Sequence, residues 1–525
     1  MHLLALIACE NGPLGRGEVA TYDVTLNVVT PSNQAPFDGL DRLVLRLDHS
    51  AGAPEEYELE STTGSPQVED LSDLDGTRLT LVGYSGELLV SYGTTQPVTA
   101  HDESIEETVL VTEVGSAGWF ASLDKSNALG ALAPDGNGSF FLFGGDTRGY
   151  WENGAERGNA SSAILRVDVA PPAVDLAFTE AGTIPQFEAK YTGSSAGHIG
   201  HSATLLTGGA DDAGLILLAG GHTNDLDFQT TSNSAFLWDP ATGEAVPTEN
   251  NLRDARTQHI AIELQSGDVL LAGGWGAEEG AGYLARSEKI EVYRRNERSF
   301  EKLGDLASYG PFLAGASLGS EGALICGGAE LPGGNVWNTV STCQLVQGDT
   351  VEDSAVALEI SRAHHQMVPV GDGRAMVIGG VSQDDPIDFL DEVSALASAV
   401  IYDIDTGQWS DAGDLNIPRA AFAATTLADG RVLVIGGNSG MSMYDGQEEY
   451  GGGVPIACAE LWTEGIGWEL LDGCSDGDAA GSLPSQVWWP TLASDPVYGV
   501  LVVGGLDNRT LSTDGVTYFA ASPEI

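Results

Sequence analysis

Residues Pro418–Gly437 read PRAAFAATTLADGRVLVIGG. The stretch opens with an Arg after a Pro. An apolar run, an Asp-Gly turn, a second apolar run and a Gly-Gly pair follow. Two apolar runs split by a turn signal read as an antiparallel hairpin. The second run lacks polar alternation, which is expected of a strand covered on both faces. Glycine lets the chain leave that strand in conformations closed to other residues. It also lets a neighbouring backbone come close. The pair is therefore read as structural rather than ligand-binding.

The same plan recurs. FFLFGG spans Phe140–Gly145, LILLAGG Leu215–Gly221, VLLAGG Val269–Gly274 and ALICGG Ala323–Gly328. AMVIGG spans Ala375–Gly380, VLVIGG Val432–Gly437 and VLVVGG Val500–Gly505. The first glycines stand at 144, 220, 273, 327, 379, 436 and 504, with gaps of 76, 53, 54, 52, 57 and 68. Periods near 50 with four short strand patterns, A to D, point to propeller blades.

This pattern resembles the kelch repeat. In that family strand B ends in Gly-Gly, strand C carries an aromatic and strand D opens at a Trp. The C–D hairpin shows as LWDPATGEA at Leu237–Ala245 and IYDIDTGQW at Ile401–Trp409. Tyr402 and Trp409 match the family's aromatic pair. Tyr293 and Phe300 hold the same spacing, and Trp238 faces Ala245 without an aromatic partner. The resemblance implies a seven-bladed kelch-type β-propeller over residues 116–525.

Ahead of it, residues 20–115 show another rhythm. Tyr22, Val24, Leu26 and Val28 alternate with polar residues, as do Leu43, Leu45 and Leu47. Further strand patterns lie at Tyr57–Ser61, Arg78–Tyr84, Glu87–Tyr92 and Glu107–Val114. Short strands split by turns such as Asp75-Gly76 and Ser85-Gly86 suggest an immunoglobulin-like or fibronectin-like β-sandwich. The fold class expected is all-β. Asp70, Asp73, Asp75 and Gly76 are read as a turn, because Leu71 and the missing twelfth-place Glu break the EF-hand template.

Residues 1–19 read as a signal segment and tether. Leu6-Ile7-Ala8-Cys9 resembles a bacterial lipobox, which implies lipidation of Cys9 and a cell-envelope or secreted location. The segment is short and lacks a basic n-region. The other four cysteines fall as two local pairs. Cys326 ends a strand B and Cys343 lies on the strand C beside it. Cys458 and Cys474 flank the Gly465–Gly467 turn of a C–D hairpin. Both pairs are expected as disulfides, consistent with export.

Composition bounds the partners. The 525 residues hold 76 acidic and 22 basic side chains, a net charge of −54. Such a surface repels nucleic acid and anionic headgroups. No apolar stretch is long enough to span a membrane as a helix, so membrane contact is expected only through a lipid on Cys9. The protein is expected to be a monomer.

No catalytic motif stands out. A copper-radical oxidase of the galactose oxidase type needs two His, a Tyr and a Tyr crosslinked to Cys, and the cysteines are better explained as pairs. A P-loop is missing from the sequence. His259, His365, Phe422 and Pro490 each lie 14 residues before a first glycine. A position shared by His, Phe and Pro reads as packing, so no metal and no cofactor are expected.

The loops after each diglycine remain. They carry Tyr150, Trp151, His222, Trp275, Trp337, Tyr444 and Tyr450, with acids among them. Exposed rings beside carboxylates suit a glycan or a protein partner. The first place to look is a notch between 146–159 and 438–454, with the short loop 506–513 as its floor. Finally, Trp119–Leu123 has the size of the outer strand that the last unit lacks, and is expected to pair there.

Overall fold

The computed structural model describes residues 21–519, apart from 50–52, 60–65, 100–103, 148–159, 170–174, 190–192, 223–230, 278–283, 331–335, 354–356, 389–392, 442–452, 475–482, 508–512 and a few single or paired positions. The protein is all-β, with no α-helix among the described residues.

The first unit contains β1 (Thr21–Val29), β2 (Arg42–Asp48), β3 (Glu55–Glu58), β4 (Gln67–Ser72), β5 (Arg78–Ser85), β6 (Leu88–Thr94), β7 (Ser104–Leu110) and β8 (Thr112–Glu113). They form two sheets, ordered β4-β1-β7 and β3-β2-β5-β6-β8. β1 and β7 run parallel and the other pairs antiparallel. The alternating residues meet in one core. Val24 and Leu26 of β1 and Val109 of β7 pack with Leu43, Leu45 and Leu47 of β2 and Leu79 and Leu81 of β5. β4 escaped the sequence reading. Its core residue Leu71 and half-buried Val68 are three apart, and a register shift in its ladder with β1 breaks the two-residue period.

Most of the remaining strands build seven four-stranded sheets, I to VII; sheets I to VI keep chain order, and sheet VII takes its outer strand from ahead of sheet I. Sheet I is Ala131–Pro134, Ser139–Phe143, Ala163–Asp168 and Asp175–Thr183; sheet II is Ser202–Leu205, Ile216–Ala219, Ala235–Trp238 and Ala245–Pro247. Sheet III is Ile260–Glu263, Val269–Ala272, Lys289–Arg294 and Ser299–Asp305; sheet IV is Ala314–Ser317, Ala323–Cys326, Cys343–Gln347 and Thr350–Asp353. Sheet V is Gln366–Pro369, Arg374–Ile378, Ser398–Asp403 and Gln408–Asp414; sheet VI is Ala423–Thr426, Val432–Ile435, Ala459–Thr463 and Gly467–Leu470. Sheet VII is Thr491–Asp495, Gly499–Val503 and Val516–Phe519, completed by β9 (Gly118–Trp119).

Strand B of each sheet is buried on both faces because alternate residues feed different interfaces. In sheet VI, Val432 and Val434 pack with Met376 and Ile378 of sheet V, while Leu433 and Ile435 pack with Val500 and Val502 of sheet VII. The same holds all round. Phe141 and Phe143 meet Ile216 and Leu218 between sheets I and II, and Phe140 and Leu142 meet Leu501 and Val503 between sheets VII and I. The first strands of successive sheets touch in order, and the seventh touches the first. Each fully buried aliphatic or aromatic side chain contributes roughly 1.5–3 kcal/mol, so the interfaces hold these sheets together. The C–D aromatic pairs stand directly opposite. Tyr402 faces Trp409 at 5.2 Å between ring centres and Tyr293 faces Phe300 at 5.3 Å.

The outer edge of sheet VII is filled from the N-terminal side. Trp119 pairs with Thr517 and Gly118 with Tyr518, so two residues serve in place of the Trp119–Leu123 strand expected. Two further bonds extend the seam: Leu123 N–H donates to Asp514 O at 2.9 Å, and Asn127 N–H to Thr513 O at 2.8 Å. The first unit leans on this edge, where Asn33 Oδ1 accepts from Trp119 N–H at 2.7 Å.

Both cysteine pairs are bonded. Cys326 and Cys343 stand opposite in the sheet IV ladder, with Cα atoms 4.1 Å apart. Cys458 and Cys474, 5.6 Å apart at Cα, lie just outside the C and D strands of sheet VI rather than within them. Disulfides of this kind point to an oxidising compartment. No helix among the described residues is long and apolar enough to cross a membrane.

Candidate functional site

The three residues leading into each strand A organise one end of the sheets. In sheet VI they are Arg419, Ala420 and Ala421, and each has its own task. Arg419 is fully buried; its Nη1 donates to Gly436 O at 2.8 Å and Cys458 O at 2.9 Å, and its Nη2 to Glu460 Oε1 at 2.5 Å. Arg256 repeats this in sheet III with Lys289 O and Glu291. Arg362 repeats it in sheet V with Gly379 O and Ser398 O at 3.0 and 3.2 Å. There the strand-C place of the glutamate is held by Val400, and Arg362 bonds Ser398 Oγ instead. Burial lowers all three arginines, that of Arg362 to about 10.

The diglycine answers to this lead-in. Both glycines have positive φ throughout, for instance 69° and 109° at Gly327 and Gly328. A Cβ on Gly327 would stand 2.5 Å from Arg362 O and 2.6 Å from His365 Cε1, both on the next sheet. The second glycine donates its N–H to that next-sheet lead residue, as Gly328 does to Arg362 O and Gly437 to Val487 O. Gly505 N–H reaches Asn127 O at 3.0 Å, which joins sheet VII to sheet I. The aligned side chain packs over the first glycine whether it is His365, Leu313, Phe422 or Pro490. This is the packing role expected of that position.

The third lead-in residue is Leu129, Gly200, Gln258, Phe312, His364, Ala421 or Trp489, and all have φ between 49° and 64°. Backbone bonds link them from sheet to sheet. Gly200 N–H donates to Leu129 O, Gln258 to Gly200 O, His364 to Phe312 O, Ala421 to His364 O and Trp489 to Ala421 O, at 2.6–3.1 Å. Three of their side chains stack. Phe312 and His364 lie 3.7 Å apart between ring centres, and Trp489 sits 6.2 Å from Phe312 and 5.8 Å from His364. Trp488 backs Trp489 at 4.6 Å.

Beside this ring lies a cavity of about 320 Å³. His201, His259, Gln258, Gln366, Phe422 and Trp489 are among its walls. Neither nitrogen of His201 has a hydrogen-bond partner, while His259 Nε2 meets Ser202 Oγ at 3.0 Å. His198 lies edge-on to His201 at 5.5 Å, and His222 Nδ1 meets Thr257 Oγ1 at 2.9 Å. Burial pushes His201 down to about 3, helped by His222, and His364 down to about 3. Burial takes His222 to about 4 against the opposing pull of Asp146. His198, His259 and His365 lie well below the usual imidazole value for the same reason. These rings are neutral at physiological pH, and no group able to hold a metal occurs among the described residues.

The anchors read from the sequence divide in two. Cys9, Tyr150, Trp151, Tyr444 and Tyr450 lie outside the described residues. His222, Trp275 and Trp337 are described and are buried at 6%, 6% and 0% exposure, so they are not the exposed anchors expected. The reasons differ. His222 and Trp275 directly follow their diglycines, where the backbone pairs with Ile199 and Thr257 of the lead-in and turns inward. Trp337 pairs with Ile387 of the next loop, in a small sheet that joins the loops of sheets IV and V. Val393–Ser394 and Gly440–Met441 join the loops of sheets V and VI likewise. The ring and its cavity were not foreseen. Six of the seven ring residues are not glycine, so the usual sequence sign of positive φ is missing.

No family model matches the chain. No curated protein matches it. Among solved structures, one described as "Structure of YjhT" aligns with a TM-score of 0.43 at 11% identity, covering 67% of this chain and 99% of that chain, a likeness too loose to carry fold or chemistry across.

Proposed function

We propose that this is an exported binding protein without a catalytic centre. Cys9 carries a lipid anchor, and the 20–115 unit is an immunoglobulin-like or fibronectin-like spacer. The seven sheets are the blades of a closed kelch-type propeller over 116–525. The loops at its diglycine end bind a glycan or a protein partner, and the protein acts as a monomer at the cell envelope or after secretion. The propeller reading is supported by the unbroken order of first-strand contacts and by the Gly505–Asn127 bond. Export is supported by the two disulfides.

One observation carries the binding reading. The post-diglycine segments start from one ring of lead-in pairings, and those of sheets IV, V and VI are knitted to one another by short strand pairs. Loops held on a rigid scaffold are where binding residues concentrate. With Trp337 and Trp275 inside, the ligand-facing work falls to Tyr150, Trp151, Tyr444 and Tyr450. The test is a glycan array together with crosslinking to envelope proteins. A ligand found by either route should lose about 2 kcal/mol or more of affinity on Trp151→Ala, as hot-spot aromatics do. Unchanged affinity in that variant, or copper-dependent oxidase turnover by the parent, would overturn the reading.

A further inference from the structure

The geometry points to a task for the 20–115 unit beyond that of a spacer: it is a clasp that locks the seam between sheets VII and I. Sheet VII is completed thinly. The outer strands of sheets I to VI run for three to nine residues, whereas β9 supplies two. Sheets VII and I are also the one neighbouring pair that the chain does not join directly, since five other sheets lie between them in sequence. A sheet edge closed by so short a strand leaves backbone groups in need of partners.

The first unit meets this weakness at three places. Asn33 pairs with the outside of β9 as a further strand would: its Nδ2 donates to Ala117 O at 2.8 Å and its Oδ1 accepts from Trp119 N–H at 2.7 Å. Buried Leu110 of β7 and half-buried Val29 of β1 belong to the apolar cluster that Phe140 and Leu142 of sheet I form with Leu501 and Val503 of sheet VII. The third place spans both sides. Gln96 Nε2 donates to Asn137 O in the A–B turn of sheet I, and the Arg78 guanidinium lies 6.0 Å from the ring centre of Tyr498 in the A–B turn of sheet VII. One unit thus grips the same turn on either side of the seam. Strand B begins at that turn and ends at the diglycine, so the grip is made at the end away from the loops. A passive spacer asks for none of these contacts, and domains joined without them move independently. Gly118 carries the mark in the sequence. Its φ is not positive, so its conformation does not call for glycine. A Cβ there would stand 2.6 Å from Pro31 Cγ, and the other atoms it would meet belong to Pro31 and Gln34. The close approach of the first unit is what requires glycine in the closing strand.

The experiment follows amide exchange in the full chain. Arg78→Ala with Gln96→Ala alters the first unit alone. The amides that cross the seam are Asn127 N–H, bonded to Thr513 O, and Gly505 N–H, bonded to Asn127 O. Both should exchange about tenfold faster or more in that variant, because the seam opens locally. Gly328 N–H makes the matching bond between sheets IV and V, to Arg362 O, and should exchange at the parent's rate. Should that variant not fold, a second pair decides. Gly118→Ala should speed the same seam amides, and Pro31→Gly in the same chain should restore them, since it removes the atoms that the new Cβ meets. No ligand enters the measurement, so its failure leaves the binding reading as it stands. The proposal is overturned if the seam amides keep the parent's rate in the folded variant, if Gly328 speeds up as much as Gly505, or if Pro31→Gly restores nothing.

Discussion

Glu460→Ala is the substitution on which the lead-in argument is most exposed. Glu460 is fully buried and its two oxygens are both occupied. Oε1 accepts from Arg419 Nη2 at 2.5 Å and Ile417 N–H at 3.0 Å. Oε2 accepts from Asn416 N–H at 2.7 Å and Asn416 Nδ2 at 2.9 Å. Alanine leaves the guanidinium buried beside carbonyls alone and strands the N–H groups of Asn416 and Ile417. Removing one partner of a buried pair costs about 3–5 kcal/mol. The orphaned amides overlap with that figure, because they share the same carboxylate.

Urea unfolding with a constant slope measures the change as a shift in midpoint. Arg419→Met with Glu460→Met removes both charges, and should recover much of the loss, since apolar replacement of a buried pair is often near neutral. What it cannot recover is the tie from Arg419 Nη1 to Gly436 O and Cys458 O. A Glu460→Ala loss below about 1 kcal/mol, or a double variant as unstable as the single, would refute the reasoning.

Three other expectations follow from the same geometry. Val400→Glu should give Arg362 the carboxylate that its two counterparts have, raising stability by about 1–3 kcal/mol; a fall would mean that Ser398 already satisfies the cation. Gly327→Ala sets a methyl against Arg362 O at positive φ, whereas Gly407→Ala has a similar φ and nothing within 4 Å; thermal unfolding should show the first to be the costlier by more than about 1 kcal/mol. His201 and His364 have folded values of about 3 against about 6.5 unfolded, so their stabilisation is complete above pH 6.5 and is lost as pH falls toward 3. At pH 5 each should remove up to about 2 kcal/mol, so the drop in urea midpoint from pH 7 to 5 should be smaller in His364→Phe than in the parent.

Much of the fold was legible because its signals are local and physical. Strand B is apolar at consecutive positions since each residue serves one of two interfaces, as Leu433 and Val434 do on opposite sides. The C–D pairs were legible because Tyr402 and Trp409 are close in sequence and face each other across one turn. The irregular gaps also have causes. The span of 76 before Gly220 includes an added hairpin, Phe187–Ala189 with Gly193–Ser195, between sheets I and II. Loop burial was not legible. Trp337 is buried in one apolar cluster with Ala363, Val381 and Trp488, which belong to other sheets, and no composition rule reports such distant contacts.

The ring of lead-in residues shows how such a scaffold can keep its shape and still vary its chemistry. Its conformation is held by main-chain bonds such as Trp489 N–H to Ala421 O at 2.6 Å, which any residue but proline can make. Side-chain identity is thereby released from the folding problem, and the seven positions hold seven different residues. The left-handed conformation still costs a non-glycine residue about 1–2 kcal/mol. Glycine would remove that cost at every position, yet it occupies only Gly200. Stability alone therefore does not explain Gln258, His364 and Trp489. Phe312, His364 and Trp489 recover part of the cost by stacking on one another. Gln258 has no such stack and stands in the cavity wall beside His259. Strain retained where packing does not require it marks a departure from what folding alone demands, and Gln258 is where this ring departs most.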